Sequence, residues 1–157
     1  MSKPKIFKLI VSIALPLGLG AIAGLFTAEA IPVWYETLIR PSFNPPNWLF
    51  GPVWTTLYIL MGISLFIIWN QSASKKRNMA ILVFFLQMAL NFCWSFIFFY
   101  FNQIGIALIE IIFLWASIVI MLVLFYKIKP ITAYINIPYL LWVTFASILN
   151  ANYYILN

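Results

Sequence analysis

A bundle of five membrane-spanning α-helices is the fold that this sequence predicts, from its composition, its hydropathy and the placement of its charges. Of the 157 residues, 65% are hydrophobic and only 8% are charged, and the mean hydropathy is +1.03. A soluble domain carries about a quarter charged residues. A chain with so few must expose most of its surface to lipid, so we expect one all-α membrane domain over residues 1–157.

Five continuously apolar runs are each long enough to cross a bilayer, since about 20 helical residues span a hydrocarbon core of about 30 Å. They cover residues 9–27, 48–69, 79–101, 104–126 and 131–156. Continuous rather than alternating hydrophobicity favours helices over barrel strands. The third and fourth runs are separated only by Asn102 and Gln103, with Gly105 just beyond, so a tight helical hairpin is expected there.

The positive charges support the count of five. Five crossings place the N-terminus and the second and fourth connections on one side, and the other two connections and the C-terminus on the opposite side. The first side holds eight of the nine basic residues, namely Lys3, Lys5, Lys8, Lys75, Lys76, Arg77, Lys127 and Lys129. The other side holds Arg40, with Glu29 and Glu36. The positive-inside rule predicts a cytoplasmic N-terminus and an outside C-terminus in a bacterial plasma membrane. The net charge of +6 then reflects topology rather than nucleic-acid binding.

The N-terminal region has a second interpretation. The lysine-rich start, the first apolar run and the sequence Ala28-Glu29-Ala30 resemble a signal peptide with its cleavage site. The apolar run is long for such a segment, however, and we expect a retained first helix.

Several kinds of chemistry are excluded by composition. The chain has no histidine and a single cysteine, Cys93. A His/Cys zinc site, a His-ligated haem, a Ser-His-Asp triad and an internal disulfide are therefore ruled out, and no metal site is predicted. Glu110 is the only acid inside an apolar run. It could accept a proton or contact a ligand, but we expect it to reach the interface or a neighbouring donor.

The connection over residues 28–47 is unusually long for a compact bundle. Its prolines and aromatic residues fit either a lid over a binding site or an interfacial anchor, and the sequence favours neither. At its end, Asn44 is expected to cap the second helix, with Pro45 and Pro46 in the first turn. Pro52 is expected to kink that helix.

Polar and aromatic side chains form stripes on three of the helices. Trp54 and Tyr58 share one face of the second helix with Gly62. The third helix carries Gln87, Asn91, Trp94 and Phe98, and the fifth carries Tyr139, Trp142, Ala146, Asn150, Tyr153 and Asn157. Polar amides are costly in lipid, so the stripes should face the interior. Such a surface suits a planar apolar ligand, although packing between helices is the alternative role for each residue.

Other features have plainer interpretations. Gly20 and Gly24 permit close backbone approach, either inside the bundle or between protomers. An aromatic belt at the membrane interfaces accounts for Trp34, Tyr35, Trp48, Trp69, Tyr126 and the terminal tyrosines.

At these residues the sequence resembles the TspO family, the tryptophan-rich sensory proteins related to the mitochondrial translocator protein (the peripheral benzodiazepine receptor). The resemblance covers essentially the whole chain. The motifs that carry it are Trp34-Tyr35, Arg40-Pro41-Ser42-Phe43-Asn44-Pro45-Pro46-Asn47-Trp48, Gly51-Pro52-Val53-Trp54-Thr55-Thr56-Leu57-Tyr58, Asn91-Phe92-Cys93-Trp94-Ser95 with Phe98-Phe99, and Pro138-Tyr139-Leu140-Leu141-Trp142-Val143-Thr144-Phe145-Ala146 with Leu149-Asn150.

The resemblance implies a five-helix fold, dimers in several members, and a pocket under the first loop for porphyrins and benzodiazepine-site drugs. For bacterial members it also implies light-dependent breakdown of protoporphyrin IX, as ligand or substrate and with no required cofactor. Matched one by one, the implied pocket residues are Trp54, Tyr58, Asn91, Trp94, Trp142, Ala146 and Asn150. Trp54 and Trp142 are the candidates for the photochemistry.

The chain departs from the animal proteins in two places. It ends Tyr153-Tyr154-Ile155-Leu156-Asn157, without the basic residue of a proposed cholesterol motif, so cholesterol handling is not expected. A helix-four tryptophan of the animal pocket corresponds to Ile106 here. Two other functions stay open: a tetrapyrrole carrier, which the lack of internal repeats disfavours as an active transporter, and a ligand sensor that reports to a partner protein.

Overall fold

The computed structural model describes residues 3–157 and confirms the all-α bundle. Five helical segments are long and apolar enough to cross a membrane: Pro4–Val33, Asn47–Trp69, Lys75–Tyr100, Ile104–Tyr126 and Pro130–Leu156. The N-terminal residues Met1 and Ser2 and the side chain of Lys3, one of the eight clustered cations, lie outside the described part.

Six α-helices make up these five segments. They are α1 (Lys3–Val33), α2 (Phe50–Trp69), α3 (Lys75–Ser95), α4 (Ile104–Tyr126), α5 (Pro130–Ile135) and α6 (Ile137–Leu156). Two short 3-10 turns, Tyr35–Thr37 and Asn47–Leu49, lie in the first connection, and a π-helical turn, Phe96–Tyr100, continues α3. We call residues 34–49 the loop.

The first helix extends beyond the apolar run at both ends. Residues 28–33, predicted as part of the long connection, form the last turns of α1, so the loop is shorter than expected. Hydropathy marks only the part of a helix that sits in hydrocarbon, whereas lysine, alanine and glutamate are good helix formers that prolong it. Even Pro32 is tolerated at this C-terminal end.

The predicted hairpin between the third and fourth runs is present. Asn102 adopts a left-handed conformation with φ of 57°, as is usual for the residue that ends a helix. The Gln103 amide reaches back to the Ile97 carbonyl at 3.0 Å, which satisfies one of the last carbonyls of the preceding turn. The chain then enters α4 directly.

The fifth run is broken into α5 and α6 at Asn136, a division that hydropathy alone did not show. Pro138 lies in the first turn of α6 and cannot donate a backbone hydrogen bond. The Asn136 amide stabilises the break by donating to Ser64 Oγ at 2.6 Å and to the Thr132 carbonyl at 2.8 Å.

The start of α2 differs from the prediction. Asn44 does not cap it: the helix begins at Phe50, after a 3-10 turn whose preceding residue is Pro46. Pro52 therefore falls in the first turn of α2, where backbone N–H groups have no intrahelical partner. Pro52 therefore removes no hydrogen bond from the interior of α2, and the reason for expecting a kink there does not apply.

The segments form a closed ring around the core. Along this ring α1 packs against α2, α2 meets α5, α6 packs against α4, α4 packs against α3, and the π-helical turn meets α1. Met61, Phe84, Ile118 and Met121 are fully buried at its centre. Many large apolar side chains point outward instead, as expected for a surface in lipid.

Cations gather at one end of the bundle, which we call the basic end. The Lys8 ammonium donates to the Trp69 carbonyl at 3.4 Å, and Lys76 donates to the Lys127 carbonyl at 3.0 Å. These bonds link the first helix and the two basic connections, as the five-span count predicts. The loop lies at the opposite end, which we call the loop end.

A candidate ligand cavity beneath the loop

A cavity of about 670 Å³ lies at the loop end, between α1, α2, the end of α3 and α6, with the loop as its roof. Small-molecule sites have volumes of about 300–1,000 Å³. Its walls are mostly aromatic and aliphatic. The aromatic members are Tyr35, Trp48, Phe50, Trp54, Tyr58, Trp94, Phe98, Phe99, Trp142 and Tyr153.

Six of the seven residues predicted for the pocket line this cavity: Trp54, Tyr58, Trp94, Trp142, Ala146 and Asn150. They come from α2, α3 and α6. The rings of Trp54 and Tyr58 are stacked, with centroids 5.5 Å apart and planes inclined by 26°. The three sequence stripes therefore converge on one space, while the binding role of each residue stays a prediction.

Asn91 is the exception, because it lies behind the wall rather than in it. Its Oδ1 accepts a hydrogen bond of 2.9 Å from the Tyr58 hydroxyl, and its Nδ2 donates to the Tyr139 hydroxyl at 3.3 Å. Tyr139 in turn donates to Gln87 Oε1 at 2.7 Å. The stripe on α3 runs deeper than the cavity, so Asn91 positions Tyr58 instead of facing the cavity.

Asn150 fixes a second tryptophan. Its Oδ1 accepts from the Trp94 indole nitrogen at 3.2 Å, and its Nδ2 donates to the Ile104 carbonyl at 3.0 Å. The first bond holds the Trp94 ring, and the second joins α6 to the start of α4. Asn150 is thus a wall residue whose orientation is set by its protein partners.

The indole N–H groups of Trp54 and Trp142 differ from that of Trp94. Among residues 3–157, no hydrogen-bond acceptor within the protein is found for either group. Both rings lie at the cavity surface and are held by aromatic neighbours: Trp54 by Tyr58, and Trp142 by Phe50 and Phe145. Neither donor is used within the described part of the protein.

The loop is attached to α6 through a hydrogen-bonded cluster of Tyr35, Asn44 and Tyr153. Asn44 Oδ1 accepts from the Tyr35 hydroxyl at 2.9 Å and from the Tyr153 hydroxyl at 3.1 Å. Tyr35 is 2% exposed, so it is not the interfacial belt residue that the sequence predicted. Its burial, and then the neighbouring Tyr153, raise the pKa of the Tyr35 hydroxyl above its usual value, so it remains a donor at neutral pH.

A further attachment lies at the end of α6. Asn157 Oδ1 accepts from the Ile39 amide at 2.9 Å, and Asn157 Nδ2 donates to the Ile39 carbonyl at 3.2 Å. Both Tyr153 and Asn157 belong to the stripe that the sequence predicted on the fifth span, whose second part is α6 in the structure. What the sequence did not reveal was their common target in the loop.

One further expectation is wrong. Both carboxylate oxygens of Glu110 are buried without a hydrogen-bond partner among the described residues, so this acid reaches neither a donor nor the interface. Ile106, matched to a tryptophan of the animal pocket, is 56% exposed on the outside of α4 and does not line the cavity.

Gly20, the first residue of the Gly20/Gly24 pair, makes a close approach inside the bundle. A Cβ atom there would collide with the Tyr58 ring. The glycine therefore lets Tyr58 lie flat against α1, where its ring forms part of the cavity wall.

These features define a multi-pass membrane protein with a largely apolar cavity that lies among its helices under a loop. The sequence model of the TspO/MBR family matches residues 12–156, and the chain belongs to that family.

Relatives extend over most of this chain. The tryptophan-rich protein TspO of Archaeoglobus fulgidus is 40% identical over 152 residues, which cover 97% of this chain and 98% of the relative. The translocator protein of Homo sapiens is 35% identical over 119 residues, or 74% of this chain and 70% of the relative. The tryptophan-rich sensory protein of Cereibacter sphaeroides is 30% identical over 117 residues, or 74% and 72%.

Proposed function

We propose that this protein is a membrane receptor that binds a planar, hydrophobic tetrapyrrole such as protoporphyrin IX in the cavity, and that benzodiazepine-site drugs occupy the same space. The observation that carries the proposal is the pair of indole N–H groups, on Trp54 and Trp142, that the protein leaves without acceptors in a mostly apolar wall. Flat aromatic surfaces favour a flat ligand, and a few polar donors can orient its edges.

We further propose that illumination of the bound porphyrin leads to its oxidative breakdown, with dioxygen as the oxidant. An excited porphyrin can take an electron from a nearby indole and pass it to dioxygen, which becomes superoxide. The oxidised indole then recovers an electron from the porphyrin, and the porphyrin radical cation combines with superoxide, so both oxygen atoms enter the product and the indole is regenerated. Trp54 and Trp142 are suited to this role because both line the cavity and neither indole N–H is tied to a protein acceptor.

Titration of the purified protein with protoporphyrin IX, first in darkness and then in light, tests both parts. Saturable quenching of tryptophan fluorescence in darkness is the result expected for binding. Loss of the porphyrin absorption band under illumination, faster than in protein-free bilayers, is expected for breakdown. Absence of saturable dark binding would refute the receptor assignment, and binding without accelerated loss would leave a receptor with no catalysis.

A carrier role is the second candidate, favoured by the name of the human relative, a translocator protein. Facilitated passage of the ligand would need access to the cavity from both membrane faces. Vesicles containing the protein, loaded with protoporphyrin IX on one side, test it by the rate at which porphyrin appears on the other.

We also propose that the protein lies in a bacterial plasma membrane with the basic end in the cytoplasm, and that it forms a homodimer. The orientation rests on the cations gathered at one end of the bundle. The dimer rests only on the family resemblance.

A further inference from the structure

The helices α1 and α2 diverge towards the loop end. Near the basic end they touch so closely that a Cβ on Gly62 would lie 2.7 Å from the Ser12 carbonyl oxygen. Near the loop end a Cβ on Gly24 or Gly51 would meet no atom within 4 Å, and both glycines line the cavity to which these two helices contribute. A gap therefore opens between α1 and α2.

This gap is continuous with the cavity. Five residues of the cavity lining border this gap, and together we call them the slot: Ala21, Gly24 and Ala28 from α1, and Gly51 and Thr55 from α2. All five are exposed rather than buried, as is Trp48, a larger residue of the same lining. Exposed residues in a cavity lining mark its opening, and five of these six side chains are small.

The slot is suited to hydrocarbon. It contains no charged side chain, and its one hydroxyl, on Thr55, donates to the Gly51 carbonyl of the same helix at 2.8 Å. The neighbouring hydroxyl of Thr27 is likewise used within its own helix, by the Ala23 carbonyl at 3.0 Å. Both rims belong to membrane-spanning segments, Pro4–Val33 and Asn47–Trp69, so the slot faces acyl chains.

A second groove on the lipid side is separated from the cavity. A groove of about 620 Å³ lies between α2 and α6, lined by Thr56, Leu141 and Trp142 among others. Trp142 also lines the cavity, so its ring separates the two spaces. The ring packs against Phe50 and Phe145, with centroids 6.2 and 5.6 Å away. The slot therefore offers a ligand in the cavity a route to lipid that the groove does not.

We propose that the slot receives a hydrocarbon tail of the cavity ligand, so that the site takes planar-headed amphiphiles whose long alkyl or isoprenoid chain extends into the bilayer. The proposal rests on the proposed function, since the head occupies the tetrapyrrole cavity. Such a ligand gains burial of its head without having to fold its tail into the cavity, whose volume then limits only the head.

The test compares two probes of equal charge, the monomethyl and mono-octadecyl esters of protoporphyrin IX. Both are titrated in darkness into protein held in lipid nanodiscs, and affinity is expressed per mole fraction of ligand in lipid. The parental protein should bind both esters within about threefold of each other. Two variants narrow the slot from opposite rims, Gly24→Leu on α1 and Thr55→Leu on α2.

Because Gly24 and Thr55 line the cavity as well as the slot, each variant is judged by the ratio of the two affinities: the octadecyl ester should weaken by about tenfold more than the methyl ester. Equal weakening of both esters would count against the slot. Thr56→Leu is the matched control, because it makes the same change one residue further on, at a site that lines the groove. It should leave both esters bound as in the parent. If Gly24→Leu does not fold, Thr55→Leu alone decides the question.

Three outcomes would overturn the inference while the proposed function stands. The parent could reject the octadecyl ester, which would show an enclosed site. The slot variants could affect both esters equally, or Thr56→Leu could lose the octadecyl ester selectively, which would place the tail in the groove. Failure of the parent to bind even the methyl ester would instead refute the proposed function.

Discussion

Tyr153, near the end of α6, donates a hydrogen bond of 3.1 Å to Asn44 in the loop, across 109 positions of sequence. Because Asn44 Oδ1 also accepts from Tyr35, one amide oxygen joins the two ends of the loop to the helix that forms a wall of the cavity. The position of the roof is thus linked to α6.

Replacing Tyr153 with phenylalanine should loosen the loop. The change removes one hydrogen bond, worth about 1 kcal/mol, while keeping the buried ring. We expect faster amide exchange over residues 34–49 and a lower midpoint of thermal unfolding in detergent. Tyr154→Phe, at a side chain 59% exposed, is the matched control and should change neither. Equal exchange in the two variants would show that the bond does not hold the loop.

The loop should also respond to ligand. Tyr35 and Asn47 both line the cavity, so an occupant contacts the loop from below and should slow its amide exchange. The comparison is made at saturating protoporphyrin IX in darkness. Unchanged exchange across residues 34–49 would indicate that the loop is an interfacial anchor rather than a lid.

Dark binding and light-driven loss of porphyrin should be separable at Trp54 and Trp142. Phenylalanine keeps an aromatic wall at either position, so binding should weaken by about 1 kcal/mol. Phenylalanine is far harder to oxidise than indole, so the rate of absorbance decay under illumination should fall much more. Trp115→Phe, on α4 and outside the cavity, controls for loss of a tryptophan as such. A double mutant that still degrades porphyrin at the parental rate would exclude both residues from the photochemistry.

Gly62 should tolerate no side chain. A Cβ there would lie 2.7 Å from the Ser12 carbonyl and 2.8 Å from Ile13 Cα, both backbone atoms that cannot rotate away. Gly62→Ala should therefore lower stability by about 1–3 kcal/mol, the usual cost of overpacking. Gly18→Ala, where a Cβ meets nothing within 4 Å, should leave the unfolding midpoint unchanged or raise it. Equal midpoints for the two variants would mean that α1 and α2 can separate at no cost.

Reporter fusions test the orientation. A periplasmic reporter placed after Asn157 should be active, and the same reporter inserted at residues 75–77 should be silent. A cytoplasmic reporter should give the reverse pattern. The five-span topology places residues 75–77 and the C-terminus on opposite sides of the membrane. Activity of the same reporter at both positions would contradict it.

Hydropathy and charge were sufficient to predict the five spans, because both are properties of residues that are close together in the sequence. The stripe on α6 was also informative, since a polar side chain in a membrane helix must find the interior. The sequence did not show which residues of a stripe lie level with the cavity and which lie deeper in the bundle. Asn91 and Trp94 differ by one helical turn, yet one lies behind the cavity and the other faces it, and only the packing of α3 against α2 and α6 decides which.

The role of Asn44 shows the same limit. Its position before two prolines matched a local cap, whereas its partners are tyrosines 9 and 109 residues away. The prediction for Glu110 was wrong because the sequence shows which residues could donate a hydrogen bond but not whether any of them lies within hydrogen-bond distance. Long-range partners therefore had to come from the structure.

The shape of one side of the cavity depends on Gly20 rather than on any of the large residues that line it. The Tyr58 ring occupies the place of the missing side chain and closes the cavity on that side. An alanine at this position would collide with the ring and force it to move, with no change to any aromatic or polar group. The shape of the cavity on this side therefore depends on a single hydrogen atom on α1, and it can change while every tryptophan stays in place.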